Sequence, residues 1–133
     1  MQHISSVEKG RKLEERVVRV LRSVNIECER IGGPGDGGID VIGRIVDTPF
    51  IIQCKNWHRN IGPSVVREIE GVLTRYPNTI AVIVASSKNN FYPAAIETAK
   101  SSVFNIILTD PTSICEDLIS IVEIHWKFMD HGT

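Results

Sequence analysis

The sequence predicts an α/β domain in which helices cover both faces of a mixed central sheet. Apolar residues recur at helical spacing between residues 13 and 24, whereas residues 79–85 form a continuous apolar run of strand length. The predicted elements follow the order αβββαβαβα, which is typical of this fold class. A chain of 133 residues is expected to form one domain, residues 1–133, whose core needs no disulfide or metal.

The first half of the chain is predicted to form one helix and three strands. Ser5 and Glu8 have the spacing of a capping box, which favours a helix start at this point. The elements are a helix from Ser5 or Ser6 to about Ser23, a strand at 26–30, a loop with five glycines at 32–38, and strands at 39–46 and 50–55. The last two strands are expected to pair as a hairpin through Asp47-Thr48-Pro49. Because the glycine loop precedes a strand and not a helix, its G-x-G-x-x-G pattern does not predict a dinucleotide site.

The second half is predicted to alternate helices with buried strands. Pro63 and Pro93 each stand at a favoured first position of a helix. The elements are a helix from 63 to about 75, a strand at 79–85, a short helix from 93 through 99, a buried strand at 105–109 and a last helix that starts near 110–111. The apolar run at 79–85 is expected to be covered on both faces, as in the centre of a parallel sheet.

Composition excludes several classes of protein. Three cysteines without CxxC spacing argue against a disulfide framework and a structural zinc site, and they suit a reducing compartment. No apolar run approaches the roughly 20 residues that span a bilayer, and the N-terminus lacks the apolar region of a signal peptide. We therefore expect an intracellular protein without a membrane partner.

The formal net charge of -1 is far from that of a strongly basic nucleic-acid-binding domain. The charge is uneven, however, since residues 1–67 carry +3 and residues 68–133 carry -4. The basic excess lies in the half that holds the unusual polar residues. The sequence therefore predicts modest, salt-sensitive nucleic-acid binding on one side of the domain.

Four polar residues interrupt apolar patterns in the first half of the chain. Glu14 lies beside or within the apolar stripe of the first helix, where it is either functional or a stripe-edge carboxylate that reaches water. Asp40 interrupts a strand pattern, where aspartate is disfavoured. Period two places Gln53 and Lys55 on one face of the next strand and Cys54 on the other, in the core. A solvated strand end is the alternative interpretation of Gln53 and Lys55.

These residue types suit metal-assisted hydrolysis of a phosphodiester. Mg²⁺ prefers hard oxygen ligands, so Asp40, the Gln53 amide oxygen and the Cys54 backbone carbonyl are candidate ligands. Lys55 is placed to orient a water or to stabilise charge on the phosphoryl group. Glu14 is a candidate for a water-bridged or second metal.

Three segments together resemble the PD-(D/E)xK nuclease superfamily, and most closely its Mrr-type restriction endonuclease branch. They are GRKLE at 10–14, GDGGID at 35–40 and QCKNW at 53–57, within a similarity that covers roughly 7–120. The resemblance implies the restriction-endonuclease-like αβββαβ core, with Asp40, Gln53 and Lys55 as the active site and Glu14 as the acid of the first helix. The chain departs from the PD-(D/E)xK pattern at two positions. Ile39 stands in place of the proline, and Gln53 stands in place of the second acidic residue. The second change makes the site less negative.

The resemblance implies a Mg²⁺-dependent DNA endonuclease, with Mn²⁺ able to replace Mg²⁺. A Holliday-junction resolvase of the archaeal type has the same fold and a similar opening segment, although it usually keeps glutamate at the position of Gln53. The second alternative is a nuclease fold retained for binding nucleic acid or a partner protein. Cleavage of two strands would require a homodimer.

Several basic side chains near the motif are candidate DNA contacts. The set consists of Arg30, Lys55, His58, Arg59 and Arg67. A solvated loop is the alternative for His58 and Arg59, and salt dependence of binding separates the two interpretations. Trp57 is expected either to stack on a base or to pack over the end of the sheet.

Overall fold

The computed structural model describes residues 6–31 and 38–130, with side chains for residues 10–31 and 38–124. The order of elements is α1 (Ser6–Ser23), β1 (Glu27–Arg30), β2 (Val41–Ile45), β3 (Thr48–Lys55), α2 (Pro63–Leu73), β4 (Ile80–Ala85), a 3₁₀ turn (Lys88–Asn90), α3 (Pro93–Ser101), β5 (Ile106–Thr109) and α4 (Ile114–Asp130). The predicted capping box at Ser5 and most of the predicted glycine loop, residues 32–37, lie outside the described residues.

The five strands form one mixed sheet in the spatial order β1-β2-β3-β4-β5. β1, β2 and β3 are antiparallel neighbours, whereas β3, β4 and β5 run parallel. Parallel strands need a crossover, and α2 and α3 supply the two crossovers. The predicted α/β class with a mixed sheet is confirmed, and the order of elements agrees with the restriction-endonuclease-like core.

Two apolar layers cover the two faces of the sheet. α1 and α4 pack on one face with Val41, Phe50 and Ile52, and α2 and α3 pack on the other with Ile51 and Ile83. All six residues of β4 are buried, which confirms that its apolar run is covered on both sides. Because alternate residues of β3 face opposite layers, Gln53 and Lys55 follow Ile51 toward the α2 side while Cys54 follows Ile52 toward the α1 side.

α1 ends in a local motif that directs the chain into β1. Asn25 has a φ of 63°, in the left-handed region that asparagine tolerates better than most residues. The N–H of Ile26 donates to the carbonyl of Leu21 at 3.0 Å, and that of Asn25 donates to the carbonyl of Arg22 at 3.0 Å. This pair of hydrogen bonds is a Schellman motif, and it fixes the helix end where the sequence predicts it.

The hairpin between β2 and β3 is tighter than the sequence predicts. Thr48 and Pro49 belong to β3 and pair with Ile45 and Arg44, so the turn consists of residues 46 and 47. Val46 has a φ of 55° and is 73% exposed. A β-branched residue is disfavoured in the left-handed region, which is why the sequence pattern predicts the connection one residue later, at 47–49.

The last strand and helix differ from the prediction in extent. β5 is an edge strand of the described sheet, and only its alternate residues Ile107 and Thr109 are buried. α4 begins at Ile114, three to four residues after the predicted start. Asp110 caps the turn that leads into α4, since its Oδ1 accepts hydrogen bonds from the backbone N–H groups of Thr112 and Ser113, and its carbonyl accepts from the N–H of Ile114 at 3.0 Å.

Among the helices of the described residues, none is long and apolar enough to cross a lipid bilayer.

Candidate active site

Asp40 is fixed where the first three strands of the sheet meet. Its backbone N–H donates to the carbonyl of Ile52 at 2.8 Å, and its carbonyl accepts from the N–H of Ile31 at 3.0 Å. Its side-chain Oδ2 accepts a 2.7 Å hydrogen bond from the backbone N–H of Cys54. A carboxylate has about four acceptor positions, so this hydrogen bond leaves Asp40 able to bind a cation.

Gln53 is a buried polar side chain of β3, with 6% of its surface exposed. Its Oε1 is buried and has no hydrogen-bond partner among the described residues. Gly38 lies directly against the amide, because a Cβ on Gly38 would overlap Nε2 of Gln53. An amide oxygen that is buried without a partner costs free energy, and a bound cation or water would remove that cost.

Lys55 ends β3 opposite Ala85 of β4, and its ammonium contacts an aromatic ring. Its Nζ lies 4.8 Å from the centre of the Trp57 ring, and the Arg59 guanidinium carbon lies 4.3 Å from the same centre. Trp57 itself packs against the apolar layer of α2 and α3. Of the two interpretations of Trp57, the structure supports packing, with the ring serving as a platform for two cations.

Glu14 reaches the same end of the sheet from α1. Its side chain is 16% exposed and lies 3.7 Å from Nε of Arg30, whose Nη1 lies 3.6 Å from Glu15. Burial raises the pKa of Glu14 and the negative charge of Asp40 raises it further, while Arg30 opposes both. Glu14 is therefore not a solvated carboxylate at the edge of the apolar stripe of α1, because it is largely buried and interacts electrostatically with Asp40.

Burial also dominates the protonation of Asp40 and Cys54. It raises the pKa of Asp40 despite the opposing effects of the Cys54 N–H, Lys55 and Arg30. It raises the pKa of the Cys54 thiol strongly, and the charges of Asp40 and Glu14 add to the effect. Cys54 is thus a neutral core thiol at physiological pH, as the sequence predicts, and not a nucleophile.

Glu14, Asp40 and Gln53 present a donor set that fits a hard divalent cation. The two carboxylates raise each other's energy when both are ionised, and the adjacent amide oxygen lacks a partner. In the described part of the chain, no group of three His, Cys, Asp or Glu side chains forms a metal site. The third candidate oxygen donor, on Gln53, is an amide oxygen, so this set of side chains is less negative than one with three carboxylates.

The structure separates the five predicted DNA contacts into two groups. Lys55, His58 and Arg59 line one depression together with Gly10 of α1, whereas Arg30 lies 3.7 Å from Glu14 of α1. Arg67 is exposed on α2 and takes part in no ion pair or ring contact with the described residues. Lys55, His58 and Arg59 thus share one depression, whereas Arg30 and Arg67 are not among its described lining residues.

Two features of the site escape sequence reasoning. The pairing of Arg30 with Glu14 depends on the packing of β1 against α1, which no local pattern predicts. The contact between Gly38 and Gln53 joins residues that are distant in sequence, although the positive φ of 80° at Gly38 is a feature that glycine-rich loops commonly supply.

A mixed sheet with α1 across its antiparallel half, and with Glu14, Asp40, Gln53 and Lys55 at one end, defines a domain of the restriction-endonuclease-like class. Comparison with known families agrees with this class. Residues 6–118 match the model of the Mrr-type restriction endonuclease family, and the chain belongs to that family.

One curated relative is an uncharacterized protein of Schizosaccharomyces pombe whose name describes it as mitochondrial. It is 36% identical over 88 residues, which are 61% of this chain and 36% of the relative. The chain thus spans about a third of the length of this relative.

Two solved structures share the fold. A crystal structure of AF1548, a protein of unknown function, matches with a TM-score of 0.59 and 18% identity over 74% of this chain and 57% of that chain. The MspJI restriction endonuclease, solved in complex with a 27-mer oligonucleotide, matches with a TM-score of 0.51 and 20% identity over 81% of this chain and 27% of that chain.

Proposed function

We propose that the protein is a metal-dependent endonuclease that hydrolyses phosphodiester bonds of DNA. The observation that carries this proposal is the meeting of Asp40, the unpartnered amide oxygen of Gln53 and the ammonium of Lys55 at one end of the sheet. Membership of the restriction endonuclease family supports the reaction class. The oligonucleotide bound in the structurally similar MspJI supports DNA as the substrate.

Asp40, the Gln53 amide oxygen and the Cys54 carbonyl are the groups that would hold Mg²⁺ or Mn²⁺. Glu14 would reach the same ion through a water or hold a second one. A bound divalent ion would polarise a phosphoryl oxygen and lower the pKa of a water. The hydrogen bond from Cys54 to Asp40 keeps the carboxylate in place for this role.

Lys55 would act on the reacting phosphate as a positioned cation. In hydrolysis, the water oxygen forms a bond to phosphorus, one phosphorus–oxygen ester bond breaks, and the departing oxygen takes a proton. Negative charge grows on the phosphoryl oxygens during this step, and a fixed ammonium stabilises it more than it stabilises the ground state. The contact with the Trp57 ring limits the positions that the Lys55 ammonium explores.

Arg30, His58, Arg59 and Arg67 would contact phosphates on either side of the cut. Binding through the three arginines should weaken steeply with salt. We propose an intracellular site of action, in keeping with the mitochondrial name of the fission yeast relative. We propose a homodimer for cutting two strands, because the described residues of one chain form one such site.

A substrate panel tests the proposal. The wild type and Asp40→Asn are incubated with linear duplex, single-stranded DNA, RNA and a four-way junction, with and without Mn²⁺. The proposal expects metal-dependent nicking of DNA by the wild type and none by Asp40→Asn. Cleavage that is equal for both proteins, or wild-type cleavage that ignores chelator, would refute it.

The amide at position 53 favours one rival function, a binding module that retains the fold. With two carboxylates and an amide in place of three carboxylates, the described site attracts a cation less strongly. Calorimetry with Mn²⁺ separates the two functions, since a nuclease must take up metal in a way that Asp40→Asn abolishes. Paired nicks on the four-way junction, with linear duplex spared, would instead indicate the resolvase activity.

A further inference from the structure

The loops that follow β3 and β4 lie side by side at the end of the sheet that holds Lys55. Lys55 and Ala85 are paired in register at the ends of these two parallel strands. Beyond them, Ile61 and Phe91 form a parallel bridge, in which the N–H of Ile61 donates to the carbonyl of Asn90 at 2.6 Å. The loop after β4 therefore forms part of the surface around the candidate site.

Tyr92 projects a large aromatic ring from this loop. Its side chain is 50% exposed, whereas the preceding Phe91 is buried. A Cβ on Gly62 would lie 3.8 Å from Cδ2 of Tyr92, so the ring rests against the backbone at Gly62. The N–H of Tyr92 donates to the carbonyl of Ile61 at 2.9 Å, which fixes the backbone beneath the ring.

A network on the other side of the loop holds it to α4. The ammonium of Lys88 lies 2.9 Å from the carboxylate of Asp117, and the N–H of Lys88 donates to Asp110 at 3.0 Å. Asp117 also accepts a 2.7 Å hydrogen bond from the buried hydroxyl of Thr109. Because the loop is held from both sides, Tyr92 is already ordered, and a ligand that contacts it loses little entropy in ordering it.

Tyr92 and Trp57 differ in what they offer to a ligand. Trp57 is partly buried in the apolar layer, and Lys55 and Arg59 lie over its ring. The Tyr92 ring contributes half of its surface to solvent at the same end of the sheet. Cations and an exposed aromatic ring at one end of the sheet match the two parts of a nucleotide, since the phosphate binds a cation and the base stacks on a ring.

We propose that Tyr92 stacks on an unpaired base next to the cut, so that the preferred DNA substrate contains unpaired nucleotides. This inference rests on the nuclease function proposed above and specifies its substrate class. A base within a duplex has both faces covered by its neighbours, whereas an unpaired base can place one face on a side-chain ring. Lys55 and Arg59 would hold the phosphates of the same strand.

Binding to two DNAs of equal length tests the stacking role. A blunt duplex and a duplex with a single-stranded tail are titrated, without divalent metal, against Asp40→Asn and the double variant Asp40→Asn/Tyr92→Ala. The tyrosine truncation should weaken binding of the tailed DNA by about 5- to 150-fold and leave the blunt duplex unchanged. Tyr92→Phe keeps the ring and should retain the affinity.

Tyr76 is the matched control, because it is also an exposed tyrosine, 39% accessible, and precedes β4 at the opposite end of the sheet. Tyr76→Ala should leave both affinities unchanged. An equal loss on both DNAs, an equal loss for Tyr76→Ala, or no loss for Tyr92→Ala would overturn the inference. Cleavage is scored separately with Mn²⁺: a wild type that binds tailed DNA through Tyr92 but cleaves nothing would refute the nuclease function and leave the stacking role intact.

Discussion

The carboxylate of Asp40 accepts a 2.7 Å hydrogen bond from the backbone N–H of Cys54, the residue between Gln53 and Lys55. This contact joins the start of β2 to the end of β3. It sets the distance between the acid and the two side chains that flank Cys54. The candidate site is therefore built by backbone geometry, and a change at Asp40 affects both its charge and its position.

Asp40→Asn removes the charge of Asp40 and keeps its position. We predict that the difference in stability between this variant and the wild type depends on pH. Burial raises the pKa of Asp40 in the folded state, so the folded protein holds this proton more tightly than the unfolded chain does. Wild-type stability should therefore fall as pH rises through the raised pKa. Asparagine keeps an acceptor for the Cys54 N–H and has no charge, so the variant should be more stable than the wild type at pH 8 and similar to it at pH 4.

Urea denaturation at the two pH values, without divalent metal, measures this difference. Glu14 contributes in the same direction, because burial and Asp40 also raise its pKa. A variant that is less stable than the wild type at pH 8 would show that the ionised Asp40 contributes net stabilisation.

Gln53→Glu tests whether the amide limits metal binding. A third carboxylate at this buried position should lower the free energy of unfolding by roughly 1–3 kcal/mol without metal, because it adds an unpaired charge near Asp40 and Glu14. Divalent metal should reverse the loss by binding the folded state. Thermal unfolding with and without Mn²⁺ checks both effects, and a Mn²⁺-induced rise in Tm that is smaller than in the wild type would count against Gln53 as a ligand.

Gly38→Ala should displace the side chain of Gln53 and strain the backbone at position 38. An added methyl would overlap Nε2 of Gln53, and the φ of 80° is unfavourable for alanine. We expect a loss of about 1–3 kcal/mol in the free energy of unfolding and weaker binding of Mn²⁺. Gly71→Ala is the control, because Gly71 lies within α2 with nothing within 4 Å of an added Cβ; it should stabilise the protein by roughly 0.5–1 kcal/mol. Equal effects of the two substitutions would exclude a special role for Gly38.

Sequence periodicity was sufficient to predict the parts of the site that lie on one strand. The alternation in β3 places Gln53 and Lys55 on one face and Cys54 on the other, because period two is a property of any strand. The contacts between strands were not predictable in this way. The pairing of Arg30 with Glu14 and the packing of Gly38 on Gln53 depend on how separate elements pack against each other. The residue pattern within one element does not predict such contacts.

The fold shows the same difference between features that one segment's residue pattern predicts and features that depend on other contacts. The apolar run of β4 predicted its burial on both faces, since only a central strand needs apolar residues at every position. The predicted start of α4 at 110–111 marks the capping turn and not the first residue of the regular helix: Asp110 accepts the N–H groups of Thr112 and Ser113, and the helix begins at Ile114. The hairpin turn was misplaced because valine at position 46 is an unusual turn residue.

Val46→Gly should stabilise the hairpin. Val46 is exposed and has a φ of 55°, so the substitution removes backbone strain and little packing. We expect a gain of about 1 kcal/mol in the free energy of unfolding. Val103→Gly is the control, because Val103 is more exposed still and has no positive φ; it should lower stability slightly. Chemical denaturation compares them, and a loss for Val46→Gly would show that the turn tolerates valine without strain.

Single-turnover cleavage of end-labelled DNA by Lys55→Met tests the central claim most directly. The wild type, Lys55→Met and Arg75→Met are compared at saturating protein with Mn²⁺, Arg75 being an exposed cation just beyond the far end of α2. The account predicts that Lys55→Met slows the cleavage step by about 100-fold or more, while Arg75→Met keeps the wild-type rate. Cleavage by Lys55→Met at the wild-type rate would contradict the account.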